Sequence, residues 1–207
     1  MPLVDLPLSI RDTRVPRDVS SFLREAALRI EDFQRSSCVP GFVPSDFERA
    51  YSILRALSEA DLAPGKLFCE WGSGFGVVTC LAALLDFEAY GIEIEGELVD
   101  AAQKLADDYG FPVEFACGSF IPKSAEGGMG GTEEYSWLTT EGSNTHQELG
   151  LAPDDLDVVF AYPWPDEEQA TEYLFQRCAA VGAVLVTYHG GDDFRLRRKT
   201  AKRSRGA

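Results

Sequence analysis

Between residues 70 and 76 the chain reads Glu70-Trp71-Gly72-Ser73-Gly74-Phe75-Gly76, an acid followed by three glycines at alternate positions. Glycines in a turn let the backbone pass close to a ligand. A helix starting there would add unpaired N–H groups carrying partial positive charge, so an anionic group is welcome at such a turn. The dinucleotide fingerprint needs Gly-x-Gly-x-x-Gly, whereas here Gly76 follows Gly74 by two positions and Val77 comes next. That spacing disfavours NAD.

Around this loop the apolar pattern alternates between strand and helix. Strands are expected at 66–70, 89–94, 113–116, 156–161 and 183–188, with helices at 75–85, 97–109 and from about 165 to 180. Such alternation is what right-handed βαβ units require, so the expected fold is α/β, a doubly wound and mostly parallel sheet with helices on both faces. Residues 194–199 would add one short edge strand, the chain ending before a long closing hairpin. Ahead of the sheet, apolar residues recur at helical spacing from Val19 to Gln34, which marks residues 1–40 as an N-terminal helical extension packed on the main body. Ser45 with Glu48 three residues later reads as a capping box for a helix through Leu57. The body then spans 41–194, carries an insertion at 123–151 rich in Gly, Ser, Thr and Glu, and is followed by a basic tail at 195–207.

Composition narrows the function classes. The 207 residues are 45% hydrophobic and 26% charged, and their longest apolar run, 77–85, is far short of the ~20 residues that cross a bilayer. No membrane partner and a cytoplasmic location are expected. Five cysteines, odd in number and widely spaced, read as reduced core thiols, and two histidines without ligand spacing make a metal site unexpected. The formal charge of −15 repels phosphates, which disfavours nucleic acid; the bases clustered in 195–207 read as a solvated end.

The acid at a strand end followed by Gly72-x-Gly74-x-Gly76 resembles motif I of the class I S-adenosylmethionine-dependent methyltransferases, whose fold is Rossmann-like. The resemblance implies a cofactor, S-adenosyl-L-methionine, whose methionine part the loop of Glu70, Gly72, Ser73, Gly74 and Gly76 would wrap. It also implies an acid at the end of the second strand holding the ribose hydroxyls. In Gly91-Ile92-Glu93-Ile94-Glu95 that acid aligns with Glu93, Glu95 being the alternative and Ile94 an adjacent contact. After the third strand the family usually shows Gly-Asp at the adenine; here Gly118-Ser119 stands instead, with Phe120 as an apolar ring contact. A narrower likeness, Phe42-Val43-Pro44-Ser45 ahead of motif I, is to small protein-lysine methyltransferases of the ATP synthase c-subunit type, and it would lay Ser45 over the cofactor.

Ligands of open α/β sheets sit beyond the carboxyl ends of the strands, where the fourth strand of the series leads into Tyr162-Pro163-Trp164-Pro165. This position resembles the family's motif IV, with Tyr162 in place of the Asn or Asp that orients a planar amine. Tyr162 and Trp164 could therefore line the acceptor channel, and their ring faces would favour a cationic methylammonium. Asp166, Glu167 and Glu168 read as stabilisers of a helix start that also make the rim acidic. The expected activity is methyl transfer, with a lysine side chain of a basic protein as acceptor. A small-molecule acceptor and a non-catalytic S-adenosylmethionine-binding module are the alternatives.

Overall fold

The computed structural model describes residues 2–8, 14–37, 39–122, 125 and 144–201. They form a seven-stranded sheet flanked by helices on both faces, as the alternating pattern implies. In chain order the elements are β1 (Leu3–Asp5), α1 (Arg17–Ser36), α2 (Phe47–Glu59), β2 (Leu67–Trp71), α3 (Val77–Ala83), β3 (Glu88–Glu93) and α4 (Gly96–Tyr109). Then follow β4 (Val113–Cys117), α5 (Thr145–Glu148), β5 (Val158–Ala161), α6 (Glu168–Cys178), β6 (Val184–Tyr188) and β7 (Phe194–Lys199). The strand order is β1-β7-β6-β5-β2-β3-β4; β2 to β6 run parallel and β7 is antiparallel to both of its neighbours.

Each central strand is buried on both faces because side chains alternate. Phe68, Val158, Phe160, Val184 and Val186 face the core shared with α1 to α4, while Cys69, Trp71, Val159, Ala161 and Leu185 face the core shared with α6. Helix α1 docks through Val19, Phe22, Leu23, Ala26 and Ile30, a helical stripe in which Phe22 meets Tyr109 and Phe111 edge-on at 5.1 Å. Among the described residues no helix is long and apolar enough to cross a membrane.

The termini depart from the expectation. Residues 194–199 are not an edge: the N-terminal strand β1 pairs outside β7, with Leu3 opposite Lys199 and Asp5 opposite Arg197. Residues 3–5 thus add a strand to the sheet and 17–36 a helix to the core, while β6 and β7 form the expected abbreviated C-terminal hairpin. The first part of the expected solvated tail is the strand itself. There Arg197 pairs with Asp5 and Glu172, Arg195 with Glu168 and Asp193, and the buried Lys199 donates its Nζ to the Ala179 carbonyl. Those bases are consumed internally. The three further bases of the tail, at 202, 203 and 205, lie outside the described residues.

The cap of α2 is also shifted. Asp46, not Ser45, is the N-cap, its carboxylate accepting from the Arg49 N–H at 2.9 Å, so the third helical position falls on Arg49 and the box with Glu48 does not form. Of the insertion, residues 123, 124 and 126–143 lie outside the described residues; Ala125 is buried and 144–151 contain the short helix α5. Cys69 and Cys80 are buried free thiols whose ionisation burial pushes up, Cys178 is half-buried, Cys117 is exposed, and Cys38 lies outside the described residues.

Candidate functional site

A cavity of about 360 Å³ opens at the carboxyl ends of β2 to β5 and is covered on one side by the segment 39–47 between α1 and α2. Its floor is the glycine loop. Gly72, Gly74 and Gly76 have φ of 73°, 51° and 70°, a region costly for any side-chain-bearing residue, and the N–H groups of Gly72 and Ser73 both donate to the Ile92 carbonyl at 2.9 Å. The loop is thereby sewn to β3. A Cβ on Gly72 would meet nothing within 4 Å, so this glycine faces the open space of the cavity. One on Gly74 would stand 2.8 Å from the Phe42 ring, which packs directly over the loop and stacks on Phe75. Gly76 departs from the expectation: it does not line the cavity but caps α3 in a left-handed conformation, with Phe115 and Ala102 against the place of its missing Cβ.

Two carboxylates brace the loop from below. Glu70 is buried; its Oε2 accepts from the Thr79 N–H at 2.9 Å and the Thr79 hydroxyl at 2.6 Å, tying β2 to α3. Loss of water outweighs those bonds and pushes its carboxyl up to about 8. Glu93, at the end of β3, accepts from Gly74 N–H at 2.8 Å through Oε2 and from the N–H groups of Ile94 (2.8 Å) and Glu95 (3.0 Å) through Oε1. Burial raises its ionisation too, against the pull of these donors. With roughly four acceptor sites on a carboxylate, three are engaged and one on Oε2 is left for a ligand hydroxyl. Glu93 therefore positions the loop as well as facing the cavity, which the sequence did not reveal. Glu95 is exposed at the rim.

The far wall is aromatic. Trp71 stacks on Phe120 with centroids 5.2 Å apart and planes within 5°, and Phe120 is held by a hydrogen bond between its carbonyl and His146 Nε2 at 2.9 Å. Ser119 lines the cavity at this end, and its Oγ accepts from the Ile121 N–H at 3.0 Å, which leaves the hydroxyl a second acceptor lone pair. Gly118, which donates to the Glu93 carbonyl at 2.8 Å, and Ile94 line the same end. Two polar atoms on the cavity lining, Ser73 Oγ and Trp71 Nε1, are buried with no hydrogen-bond partner among the described residues. An orphaned buried donor is costly, and a polar ligand would satisfy both.

Opposite the loop, Tyr162, Pro163, Trp164 and Pro165 form the other wall, as expected from their place after β5. Tyr162 packs on Tyr188 at 4.5 Å, and Trp164 is part-exposed at the mouth. His189 reaches the cavity, its Nε2 hydrogen-bonding the Thr187 hydroxyl at 2.7 Å and its Nδ1 lying 2.9 Å from Glu168, while Arg195 pairs with the other oxygen of Glu168 at 3.1 Å. The histidine links the end of β6 to the start of α6 rather than standing ready as a base. Ser45 does line the cavity, one position before the cap residue. Sequence reasoning placed Glu167 on an acidic rim but not in a buried position, and it missed the stacking of Trp71 on Phe120 and the ring of Phe42 over the loop. Among the described residues five glutamates line the cavity, at 70, 93, 95, 167 and 168, and no lysine or arginine does. Among the described residues no cluster of His, Cys, Asp and Glu could hold a metal ion.

No family model and no curated protein matches the chain. Solved structures do. An RNA methyltransferase from Salinibacter ruber, in complex with S-adenosyl-L-homocysteine, superposes with a TM-score of 0.51 at 19% identity, over 78% of this chain and 95% of that one. An O-methyltransferase from Streptomyces achromogenes in complex with SAM gives 0.52 at 18% identity, over 84% of this chain and 66% of that one. A methyltransferase from Geobacter sulfurreducens gives 0.54 at 15% identity, over 89% and 98% of the two chains. At these identities the likeness is one of architecture, and it agrees with the strand order and the loop geometry described above: the chain has the Rossmann-like methyltransferase fold.

Proposed function

We propose that the protein is an S-adenosyl-L-methionine-dependent methyltransferase. The observation that carries this reading is the cavity floor: a glycine loop whose Gly72 leaves open space where a Cβ would stand, flanked by Glu93 with one acceptor site to spare and by the orphaned Ser73 Oγ and Trp71 Nε1. The residues fit the cofactor. Gly72 and Ser73 would hold its methionine part, Glu93 a ribose hydroxyl, and Ile94, Gly118 and Phe120 the adenine end, with Ser45 on the covering segment. The bound cofactor supplies a methyl group on a sulfonium, an electrophile with a good leaving group. The protein's contribution is then to orient an acceptor and exclude water, for which Tyr162 and Trp164 on the opposite wall are suited.

The acceptor we favour is a side-chain amine of a basic protein, lysine first. The chain carries −15 and its cavity bears only acidic charge, so a phosphate-bearing acceptor meets repulsion where an amine is attracted. Parallel isothermal titrations with S-adenosylmethionine, S-adenosylhomocysteine and NAD test the cofactor. Binding of the first two and not of NAD is the expected result. Folded protein that binds neither would overturn the reading.

A further inference from the structure

Among the described residues nine large apolar side chains are exposed, and three of them, Val43, Ile94 and Trp164, line the mouth of the cavity. They come from separate places: the covering segment 39–47, the turn after β3 and the wall after β5. Scattered singly, such side chains need no explanation; gathered around one opening they mark an interaction surface. Pro40 and Pro165, also exposed, extend the same rim. Each of the three has an exposed acid close by in the chain, Asp46 after Val43, Glu95 after Ile94 and Asp166 after Trp164. The cavity behind the rim holds about 360 Å³, low in the range of roughly 300 to 1,000 Å³ typical of ligand pockets. Once a cofactor fills it, a slender side chain can still enter, but a second whole ligand cannot.

Building on the methyltransferase reading, we propose that this rim docks a polypeptide segment in which the acceptor lysine is flanked by large apolar residues. The flanking side chains cover Val43, Ile94 and Trp164, and the lysine enters between them. Its methylene stem runs along the rings of Tyr162 and Trp164, while its ammonium is drawn by the acidic opening. Lysine is the side chain that suits both demands, an apolar stem for the wall and a positive tip for the field. A segment of lysines alone would leave the apolar rim in water. A free polyamine carries the charge but nothing to cover the rim, and an RNA would bring phosphates to an acidic mouth.

The test titrates short blocked peptides of serine and glycine around one central lysine. In the first, leucine stands on both sides of the lysine; in the second, serine does; in the third the leucines stay and the lysine becomes glutamine. Binding is measured without cofactor, and S-adenosylmethionine affinity separately. The leucine-flanked lysine peptide should bind about tenfold or more tightly than the serine-flanked one, since burial of one large apolar side chain is worth at least that much. It should also bind more tightly than the glutamine peptide. Val43→Ser should cut the preference for leucine about threefold or more, whereas Val181→Ser, equally exposed but outside the cavity, should leave it unchanged. Transfer of a tritiated methyl group should favour the leucine-flanked lysine peptide over the serine-flanked peptide, spermidine and transfer RNA. Equal binding of leucine- and serine-flanked peptides, equal binding of the lysine and glutamine peptides, or equal effects of Val43→Ser and Val181→Ser would overturn the proposal. So would transfer to spermidine or transfer RNA with none to the leucine-flanked peptide. Peptide binding that depends on leucine, lysine and Val43 in a protein that binds no S-adenosylmethionine would instead support the docking surface and refute the methyltransferase reading.

Discussion

Glu70 is the buried acid at the head of the glycine loop, and its ionisation makes a sharp test of how this loop is built. Its carboxyl titrates at about 8 in the folded protein against an ordinary 4.5, because burial removes water from the charged form more than the two Thr79 hydrogen bonds restore. Between those two values the folded chain holds a proton that the unfolded chain has released. Stability therefore falls as pH rises through that window, by about 1.4 kcal/mol per pH unit, or roughly 4 to 5 kcal/mol across it. Glu70→Gln replaces the protonated acid by a neutral amide of nearly the same shape whose oxygen can still accept from Thr79. The variant should match the wild type near pH 5 and exceed it by about 4 to 5 kcal/mol at pH 9. Urea unfolding followed by tryptophan fluorescence at half-unit pH steps measures the difference curve, in which other titrating groups such as Glu93 cancel. A flat difference from pH 5 to 9, or a less stable variant at pH 9, would refute the reasoning. Either would mean that the carboxylate is ionised at neutral pH and contributes charge-assisted bonds to α3.

Three further perturbations bear on the site and its support. Gly72→Val sends a side chain into open cavity space, so S-adenosylmethionine affinity should drop at least a hundredfold in a titration, with a stability loss of about 1 to 2 kcal/mol for the positive φ; retained affinity would remove Gly72 from the ligand site. Glu93→Ala leaves three N–H groups, including that of Gly74, without their acceptor and should cost about 1 to 3 kcal/mol in both cofactor affinity and stability, whereas the exposed Glu95→Ala should change each by less than about 0.5 kcal/mol. If Glu95→Ala has the larger effect on affinity, the ribose acid has been assigned to the wrong position. Phe22→Ala should lower overall stability by about 3 to 5 kcal/mol in a single cooperative transition, since α1 shares the main core; a small loss or a separate early transition would show the N-terminal helix to be an appendage.

The central strands and their helices were legible because a parallel sheet buried on both faces demands apolar runs at fixed spacing. The strands at 67–71, 88–93, 113–117, 158–161 and 184–188 fall within two residues of the expected limits. Helix α3 is shorter than the expected 75–85 because Gly76, needed in a left-handed conformation, delays its start, and Asp86 with φ 62° follows its end. Helix α6 begins at Glu168 rather than near Pro165 because residues 164–167 first close a turn, with the Glu167 N–H donating to the Trp164 carbonyl at 2.8 Å. The strand β1 was not legible at all: three residues, Leu3-Val4-Asp5, carry no pattern, and only pairing with β7 makes them a strand. The same pairing explains the basic stretch, whose charges looked solvated until the tertiary fold brought Asp5 and Glu172 to Arg197.

By itself the sequence determined the α/β class, the succession of strands and helices along the chain and the glycine turn after β2, because these follow from local periodicity and glycine spacing. What only the tertiary structure decided is where side chains far apart in sequence meet. It laid Phe42 on Gly74, turned Gly76 away from the cavity, set His189 between Thr187 and Glu168, buried Glu167, and left Ser73 Oγ and Trp71 Nε1 on the cavity wall. Hydrogen bonding and burial depend on distances across the fold, on which residue spacing along the chain places no constraint.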